Sequence, residues 1–122
     1  MSASILTVDD SASLRMAIRV ALTGAGYAVT EAGDGVEGLG KATATRFDLI
    51  ITDLNMPNMD GLTMIRELRK SPSQAGVPIV FLTTESDDAI KAQARAAGAT
   101  GWLVKPFEPT QLIKIAQKVL GR

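Results

Sequence analysis

Short apolar runs alternate along the chain with segments in which apolar residues recur every three or four positions. Several of the runs are apolar at consecutive positions, which is typical of parallel strands that are covered on both faces of a sheet. The runs occupy residues 5–8, 27–32, 48–53, 77–84 and 101–106. The pattern therefore predicts five buried strands.

The segments that follow these runs predict five helices. In residues 13–25 the apolar side chains recur at the spacing of one helix face, and Ser11 or Ser13 can cap the start of this helix. The fourth helix is rich in alanine, and Ile90 is its only large apolar residue. The other helices are predicted over residues 35–45, 60–70, 87–98 and 109–120.

A strand and a helix therefore alternate five times. This alternation predicts an α/β protein with a parallel sheet, helices on both faces and right-handed crossovers. Five strands are too few to close an eight-stranded barrel, so we expect an open, doubly wound sheet. We find no linker or low-complexity tract, and we expect one domain over residues 1–122.

Composition narrows the chemistry. The chain has 13 basic and 13 acidic residues, and this balance argues against nucleic acid or an anionic membrane as a partner. It has no Cys and no His, so a metal ion would have to be a hard cation with oxygen ligands. The N-terminus does not resemble a signal peptide, and no segment reaches the roughly 20 apolar residues of a membrane span. We expect a cytoplasmic protein.

Polar side chains gather where the predicted strands end. Open α/β sheets bind ligands at the carboxyl ends of their strands. The side chains at these ends are Asp9 and Asp10 after the first run, Asp53 after the third, Thr83 and Thr84 after the fourth, and Lys105 after the fifth. The second run offers only Glu31 and Ala32. We therefore expect strand two at an edge and the order 2-1-3-4-5, a flavodoxin-like three-layer sandwich.

Asp9, Asp10 and Asp53 predict a site for a divalent cation. Two unit charges about 4 Å apart repel by roughly 4 kcal/mol at an effective dielectric constant near 20. Mg²⁺ removes this penalty, since it takes one or two carboxylates together with water and phosphate oxygens. The alternative is local, with Asp9 in an Asx-type turn or helix cap and Asp10 solvated.

Asp53 is the candidate nucleophile, because a carboxylate can form an aspartyl phosphate. The metal ion and Lys105 would screen the phosphoryl oxygens, and Thr83 would offer them a hydroxyl group. Thr83 and Lys105 each also have a purely structural interpretation, since Thr is common in strands and a strand-end Lys is commonly solvated. A cis peptide bond between Lys105 and Pro106 would fix where the ammonium group points.

Four motifs that carry these residues follow one another over the whole chain. They are VDD at residues 8–10, ITDLNMPNMDG at 51–61, FLTT at 81–84 and LVKPF at 103–107. In this combination the sequence resembles the receiver domain of two-component response regulators, and specifically the stand-alone chemotaxis type, which is CheY-like. Each motif alone is modest, and the set together is specific.

The resemblance implies a signalling switch, not an enzyme. Asp53 would accept a phosphoryl group from a phosphohistidine on a sensor histidine kinase. Asp9, Asp10 and Asp53 would bind Mg²⁺ together with the backbone carbonyl group of Asn55. The output would come from altered binding to another protein, and we expect the protein to be a monomer, with no output domain after residue 122.

The resemblance also implies how the signal leaves the site. Thr83 and Lys105 would contact the phosphoryl group, and Thr83 would be coupled to an aromatic residue on the fifth strand. The target would bind the face formed by the fourth helix, fifth strand and fifth helix. The family usually has Tyr, Phe or His at the aromatic position and this chain has Trp102. Trp102 could instead be a static packing residue, since a larger buried indole needs a partner for its N–H.

Two positions tune the lifetime of the phosphorylated state in this family. They are Asn55 and Glu85 here, both polar, and they predict self-dephosphorylation within seconds to minutes. Three alternatives remain. A phosphorelay or cell-cycle receiver would pass its phosphoryl group on. An aspartyl-nucleophile phosphatase would need Asp where Asn55 stands. A flavodoxin-like cofactor binder would need a glycine-rich loop after the first strand.

Overall fold

The computed structural model describes residues 3–71, 76–84 and 88–121. These residues form a five-stranded parallel sheet in the order β2-β1-β3-β4-β5, which confirms the predicted fold and strand order. The strands are β1 (Ser4–Val8), β2 (Ala28–Ala32), β3 (Leu49–Asp53), β4 (Ile79–Thr83) and β5 (Gly101–Val104). The fifth strand is shorter than predicted and ends before the Lys105–Pro106 peptide bond, which is cis.

Five helices follow the strands and cover both faces of the sheet. They are α1 (Ala12–Gly24), α2 (Gly35–Ala44), α3 (Gly61–Lys70), α4 (Asp88–Ala96) and α5 (Pro109–Leu120). On one face, residues of α1 and α5 pack on alternate side chains of the strands, in a cluster that includes Ile5, Ile18, Leu22, Leu49, Ile51, Leu82 and Leu112. The opposite cluster includes Leu6, Ile50, Met64, Ile65, Leu68, Ile79 and Phe81. The core therefore has two halves with the sheet between them.

Side-chain caps explain where several helices begin. The Ser11 hydroxyl oxygen accepts a hydrogen bond from the backbone N–H of Leu14 at 3.2 Å, so Ser11 is the cap of α1. Asp34 and Asp60 cap α2 and α3 in the same way. None of the helices in the described ranges is long and apolar enough to span a bilayer.

The fourth helix has a small buried surface. Ala94 is its only buried residue among those described, whereas α3 buries Met64, Ile65 and Leu68. This follows from the sequence, because an alanine-rich helix has little apolar area to remove from water. At its carboxyl end the Arg69 guanidinium group donates to the Gly98 carbonyl oxygen at 2.6 Å.

Candidate functional site

The three predicted acidic residues lie together at the carboxyl end of the sheet. β1 pairs with β3, and Val8 is the partner of Thr52, so the residues that follow them are neighbours. One oxygen from each carboxylate of Asp9, Asp10 and Asp53 lies within 4.8 Å of the other two. Asp9 and Asp53 are buried and Asp10 is exposed. The trio is therefore open to solvent on one side only.

Lys105 joins two of the three carboxylates. Its Nζ atom lies 3.1 Å from Asp9 Oδ2 and 3.1 Å from Asp53 Oδ2. The side chain is 19% exposed, and its backbone N–H donates to the Thr83 carbonyl oxygen at 2.8 Å. A partly buried ammonium group between two carboxylates is less screened by water than a surface lysine, so it contributes more to the local field. The interpretation of Lys105 as a solvated strand-end charge is wrong.

Each buried carboxylate divides its two oxygens between a local turn and the ammonium group. Asp9 Oδ1 accepts from the Ser11 backbone N–H at 2.9 Å, and Asp53 Oδ1 accepts from the Leu54 backbone N–H at 2.7 Å. Asp9 therefore does form the Asx-type turn that was the alternative interpretation. The turn uses one oxygen and leaves the other for the site, so the two interpretations are compatible.

The environment changes the charge balance of the site. Burial raises the pKa of Asp53, the nearby Lys105 charge opposes this shift, and the Asp9 charge adds to it. Burial lowers the pKa of Lys105, but hydrogen bonding and charge attraction from Asp9 and Asp53 outweigh this effect, so that the net pKa is raised. Lys105 therefore stays protonated, whereas the negative charge of Asp53 is only partly offset by the positive charge of Lys105.

The donor set suits a small hard cation. The carboxylate oxygens of the trio are the ligands that Mg²⁺ prefers, and the exposed edge at Asp10 leaves room for water and phosphate oxygens. The space behind Asp53 is filled by backbone. A Cβ atom on Gly61 would lie 2.4 Å from the Asp53 carbonyl oxygen, so Gly61 lets α3 start directly against the end of β3.

The other predicted residues lie around this centre. Thr83 is fully buried at the end of β4, and Asn55 is exposed in the loop that follows Asp53. The ring centroids of Trp102 and Phe81 lie 5.8 Å apart with an interplanar angle of 63°, an edge-to-face contact. The Trp102 Nε1 atom is buried without a hydrogen-bond partner. Glu85 lies outside the described residues.

The carboxyl end of β2 takes part in the site, which sequence analysis missed. Arg15 donates to the Asp9 carbonyl oxygen at 2.5 Å and its Nε atom lies 3.4 Å from Glu31. Glu31 also pairs with Arg19 at 2.6 Å, and its carbonyl oxygen accepts from Lys41 at 2.5 Å. These contacts fix the loop that carries the first two carboxylates. The available sequence signal was a basic residue, Arg15, one turn into the helix that follows Asp9 and Asp10.

The chain is similar to known proteins over nearly its whole length. The family model described as "Response regulator receiver domain" matches residues 5–117. The transcriptional regulatory protein ResD of Bacillus subtilis is 36% identical over 118 residues, which are 97% of this chain and 48% of ResD. The DNA-binding response regulator MtrA of Mycolicibacterium paratuberculosis is 37% identical over 122 residues, 100% of this chain and 53% of MtrA. The chain thus spans about half the length of these curated relatives.

Two solved structures resemble the chain closely. The chemotaxis protein CheY4 of Vibrio cholerae has a TM-score of 0.94 and 47% sequence identity, and the match covers 98% of this chain and 100% of CheY4. The receiver domain of the sensor histidine kinase PA1611 from Pseudomonas aeruginosa has a TM-score of 0.91 and 31% identity, and the match covers 100% of both chains. That receiver domain has a magnesium ion coordinated in its active-site cleft.

Proposed function

Because this chain belongs to the family of response regulator receiver domains, we propose that it is a phosphorylation switch in which Asp53 is the phosphoacceptor. One observation carries the proposal. The Lys105 ammonium group lies 3.1 Å from both Asp53 and Asp9 within the acidic trio. A carboxylate beside a fixed ammonium group and further acidic ligands is arranged for attack on an anionic phosphoryl group.

The residues that would hold Mg²⁺ are Asp9, Asp10 and Asp53, with the backbone carbonyl group of Asn55. When bound, the ion supplies positive charge that neutralises the carboxylates and the phosphoryl oxygens. Asp9 and Asp53 are already oriented for this role, because the other oxygen of each accepts a backbone hydrogen bond. The similarity to a receiver domain with a coordinated magnesium ion supports this assignment.

The transfer itself needs the Asp53 carboxylate as acceptor, the Lys105 ammonium group and the Thr83 hydroxyl group. A carboxylate oxygen of Asp53 attacks phosphorus in a phosphohistidine of a sensor kinase. The O–P bond forms as the N–P bond breaks, and the imidazole nitrogen keeps the electron pair and takes up a proton from solvent. Lys105 binds the phosphoryl oxygens through charge-assisted hydrogen bonds. Thr83, at the end of the adjacent strand, hydrogen-bonds the same group through its hydroxyl.

The output follows from a shift between two conformations. Thr83 moves toward the phosphoryl group, Trp102 changes its position against Phe81, and the face of α4, β5 and α5 binds a partner protein. Asn55 and Glu85 orient the water that hydrolyses the aspartyl phosphate within seconds to minutes. The similarity to CheY4, named as a chemotaxis protein, favours a chemotaxis target. The similarity to a receiver of a sensor histidine kinase favours a phosphorelay as the second candidate.

The test is phosphorylation by acetyl phosphate in the presence of Mg²⁺. Intact-protein mass spectrometry should detect one phosphoryl adduct on the wild-type protein and none on Asp53→Asn. Asp88→Asn, which changes an exposed carboxylate in α4, is the matched control and should be modified like the wild type. An unchanged adduct on the Asp53→Asn variant would refute the proposal.

A further inference from the structure

The loop that carries Asn55 is hydrogen-bonded to the loop that follows β2. The Asn58 side-chain amide donates to Asp34 Oδ2 at 2.8 Å, although the two residues are 24 positions apart. The other oxygen of the same carboxylate, Oδ1, accepts from the Glu37 backbone N–H at 2.8 Å and caps α2. Asp34 therefore fixes the start of one helix and the neighbouring loop with a single side chain.

The β3–α3 loop, residues 54–60, presents one side of its tip to solvent, while Met56 and Met59 pack against the core. Its base is closed by a hydrogen bond from the Gly61 N–H to the Leu54 carbonyl oxygen at 2.9 Å. Asn55, Pro57 and Asn58 are exposed, so burial does little to order this side of the loop. Asn58 has φ 68°, a left-handed conformation that Asn adopts more readily than most residues. The Asp34 bond acts at this tip.

The next residue along each loop also makes contact. A Cβ atom on Gly35 would lie 2.2 Å from the Met59 carbonyl oxygen and 2.9 Å from the Met59 Cβ. The two backbones therefore approach closely enough that only glycine is accommodated. The pairs 34 with 58 and 35 with 59 together form a continuous contact, which a single side-chain encounter at the surface would not produce.

We propose that Asp34 and Asn58 are positioning residues for Mg²⁺, acting through the β3–α3 loop on the Asn55 carbonyl group. This inference rests on the proposed function, in which that carbonyl group is a ligand. Neither residue would touch the ion. Their hydrogen bond restricts the loop before the ion binds, so less ordering remains to be done when it does, which raises affinity.

The test is a calorimetric titration of Mg²⁺ into the unphosphorylated protein. Asn58→Gly keeps the left-handed backbone accessible and removes the donor, and Asp34→Ser keeps a helix-capping oxygen and removes the acceptor. Each variant should bind Mg²⁺ roughly two- to tenfold more weakly than the wild type, the range expected for one hydrogen bond. The double variant should bind no more weakly than the worse single variant, because both substitutions remove the same interaction.

A matched control separates this effect from charge. Glu37→Gln removes one negative charge from the same helix, and Gln can still accept the hydrogen bond that Glu37 takes from the Gly33 N–H at 2.6 Å. Its Mg²⁺ affinity should stay within about twofold of the wild type. If Glu37→Gln weakened binding as much as Asp34→Ser, the effect would be electrostatic and the inference would be overturned.

Amide exchange in the metal-free protein gives an independent readout. Asn58→Gly should accelerate exchange at Asn55 and Gly61 while the β3 amides keep their protection. Equal Mg²⁺ affinity in Asn58→Gly and wild type would overturn the positioning role and leave the proposed function intact. A wild-type protein that bound no Mg²⁺ would refute the metal site itself, and the inference with it.

Discussion

The centre of the sheet and its β5 edge are built very differently. All residues of β3 and β4 are buried, whereas no residue of β5 is fully buried and one is exposed. The helices follow the same trend, since α3 buries three large apolar side chains and α4 buries only Ala94. Asp53 and Thr83, the proposed phosphoacceptor and its hydroxyl partner, thus lie on the most completely buried strands, and the proposed output face lies where less area is buried.

This difference indicates where a phosphoryl group on Asp53 could change the conformation. An added phosphoryl group shifts a conformational equilibrium only by the difference between its interaction free energies with the two conformations. β3 and β4 are buried along their whole length, so we expect their backbones to stay in place and the larger change to appear where less area is buried. Trp102 lies at the border, in contact with Phe81 of β4 and with its Nε1 atom unpartnered. A buried donor without an acceptor costs about 1–3 kcal/mol, which lowers the cost of moving the ring.

We expect the greatest change in stability when one of the two aromatic rings, Phe81 or Trp102, is replaced by alanine. Phe81→Ala should lower the free energy of unfolding by about 3–5 kcal/mol, since Phe81 is completely buried and its loss leaves a cavity. Trp102→Ala should cost less than about 2 kcal/mol, because the ring is partly exposed and its N–H is unsatisfied. Urea denaturation measures both values. Equal losses would contradict the distinction between centre and edge.

The next effect tests the Lys105 ammonium group that lies between Asp9 and Asp53. Lys105→Met should slow phosphorylation by acetyl phosphate about 100-fold, the scale found when one preorganised charge-stabilising donor is removed. Lys114→Met changes an exposed lysine on α5 and should leave the rate within about twofold. Quenched time courses followed by intact mass give both rates. A Lys105→Met rate close to that of the control would remove the residue from the reaction.

Amide exchange in the wild-type protein compares the stability of α4 directly with that of β3 and β4. The amides of α4 from Lys91 to Ala96 should exchange at least about 30-fold faster than those of β3 and β4, which corresponds to an opening free energy about 2 kcal/mol lower. Exchange monitored by NMR at constant pH resolves the individual amides. An α4 as well protected as the central strands would mean that the edge is not the weakly held region.

The smallest effect concerns the uncompensated charge of Asp53. Its pKa is raised chiefly by burial, so the folded state binds more protons than the unfolded state between the ordinary value of 3.8 and the raised one. The contribution of this group to stability therefore falls as pH rises through that window. In metal-free protein at neutral pH, Asp53→Asn should raise Tm by roughly 2–5 °C. Thermal unfolding at several pH values measures the gain.

This gain should disappear once the pH falls below 3.8, because Asp53 is then mostly protonated and neutral in both states. Mg²⁺ should reverse the order, since it stabilises the folded wild type more than the variant. The control variant Asp88→Asn, which changes an exposed carboxylate, should not be more stable than the wild type at neutral pH. A metal-free Asp53→Asn variant that melted below the wild type at neutral pH would show that Lys105 fully compensates the carboxylate.

Much of the fold could be predicted because parallel strands buried on both faces leave a clear apolar signal. The strand order followed from one further argument, that the acidic residues after β1 and β3 must converge. The helix boundaries were less well defined by the sequence, and α4 ends at Ala96, two residues before its predicted end. Alanine gives no stop signal and helix ends fray, so a shift of one or two residues is expected.

The site was predictable in its centre and less so in its supports. Asp9, Asp53 and Lys105 follow strands directly, so the sheet geometry alone brings them together. Asp34 and Asn58 lie on different loops 24 positions apart, and nothing in the spacing of the sequence relates them. The contact depends on how closely two backbones approach at Gly35, which is a property of the packed molecule. Supports of this kind become visible only in three dimensions.

The central claim is that the acidic trio holds Mg²⁺ and that this allows Asp53 to be phosphorylated. The most direct test is the rate of phosphorylation by acetyl phosphate as a function of Mg²⁺ concentration, beside a calorimetric titration of the same protein. We expect the rate to saturate at the concentration where binding saturates, and both midpoints to rise together in Asp10→Asn. Phosphorylation at an undiminished rate in excess EDTA would contradict the account.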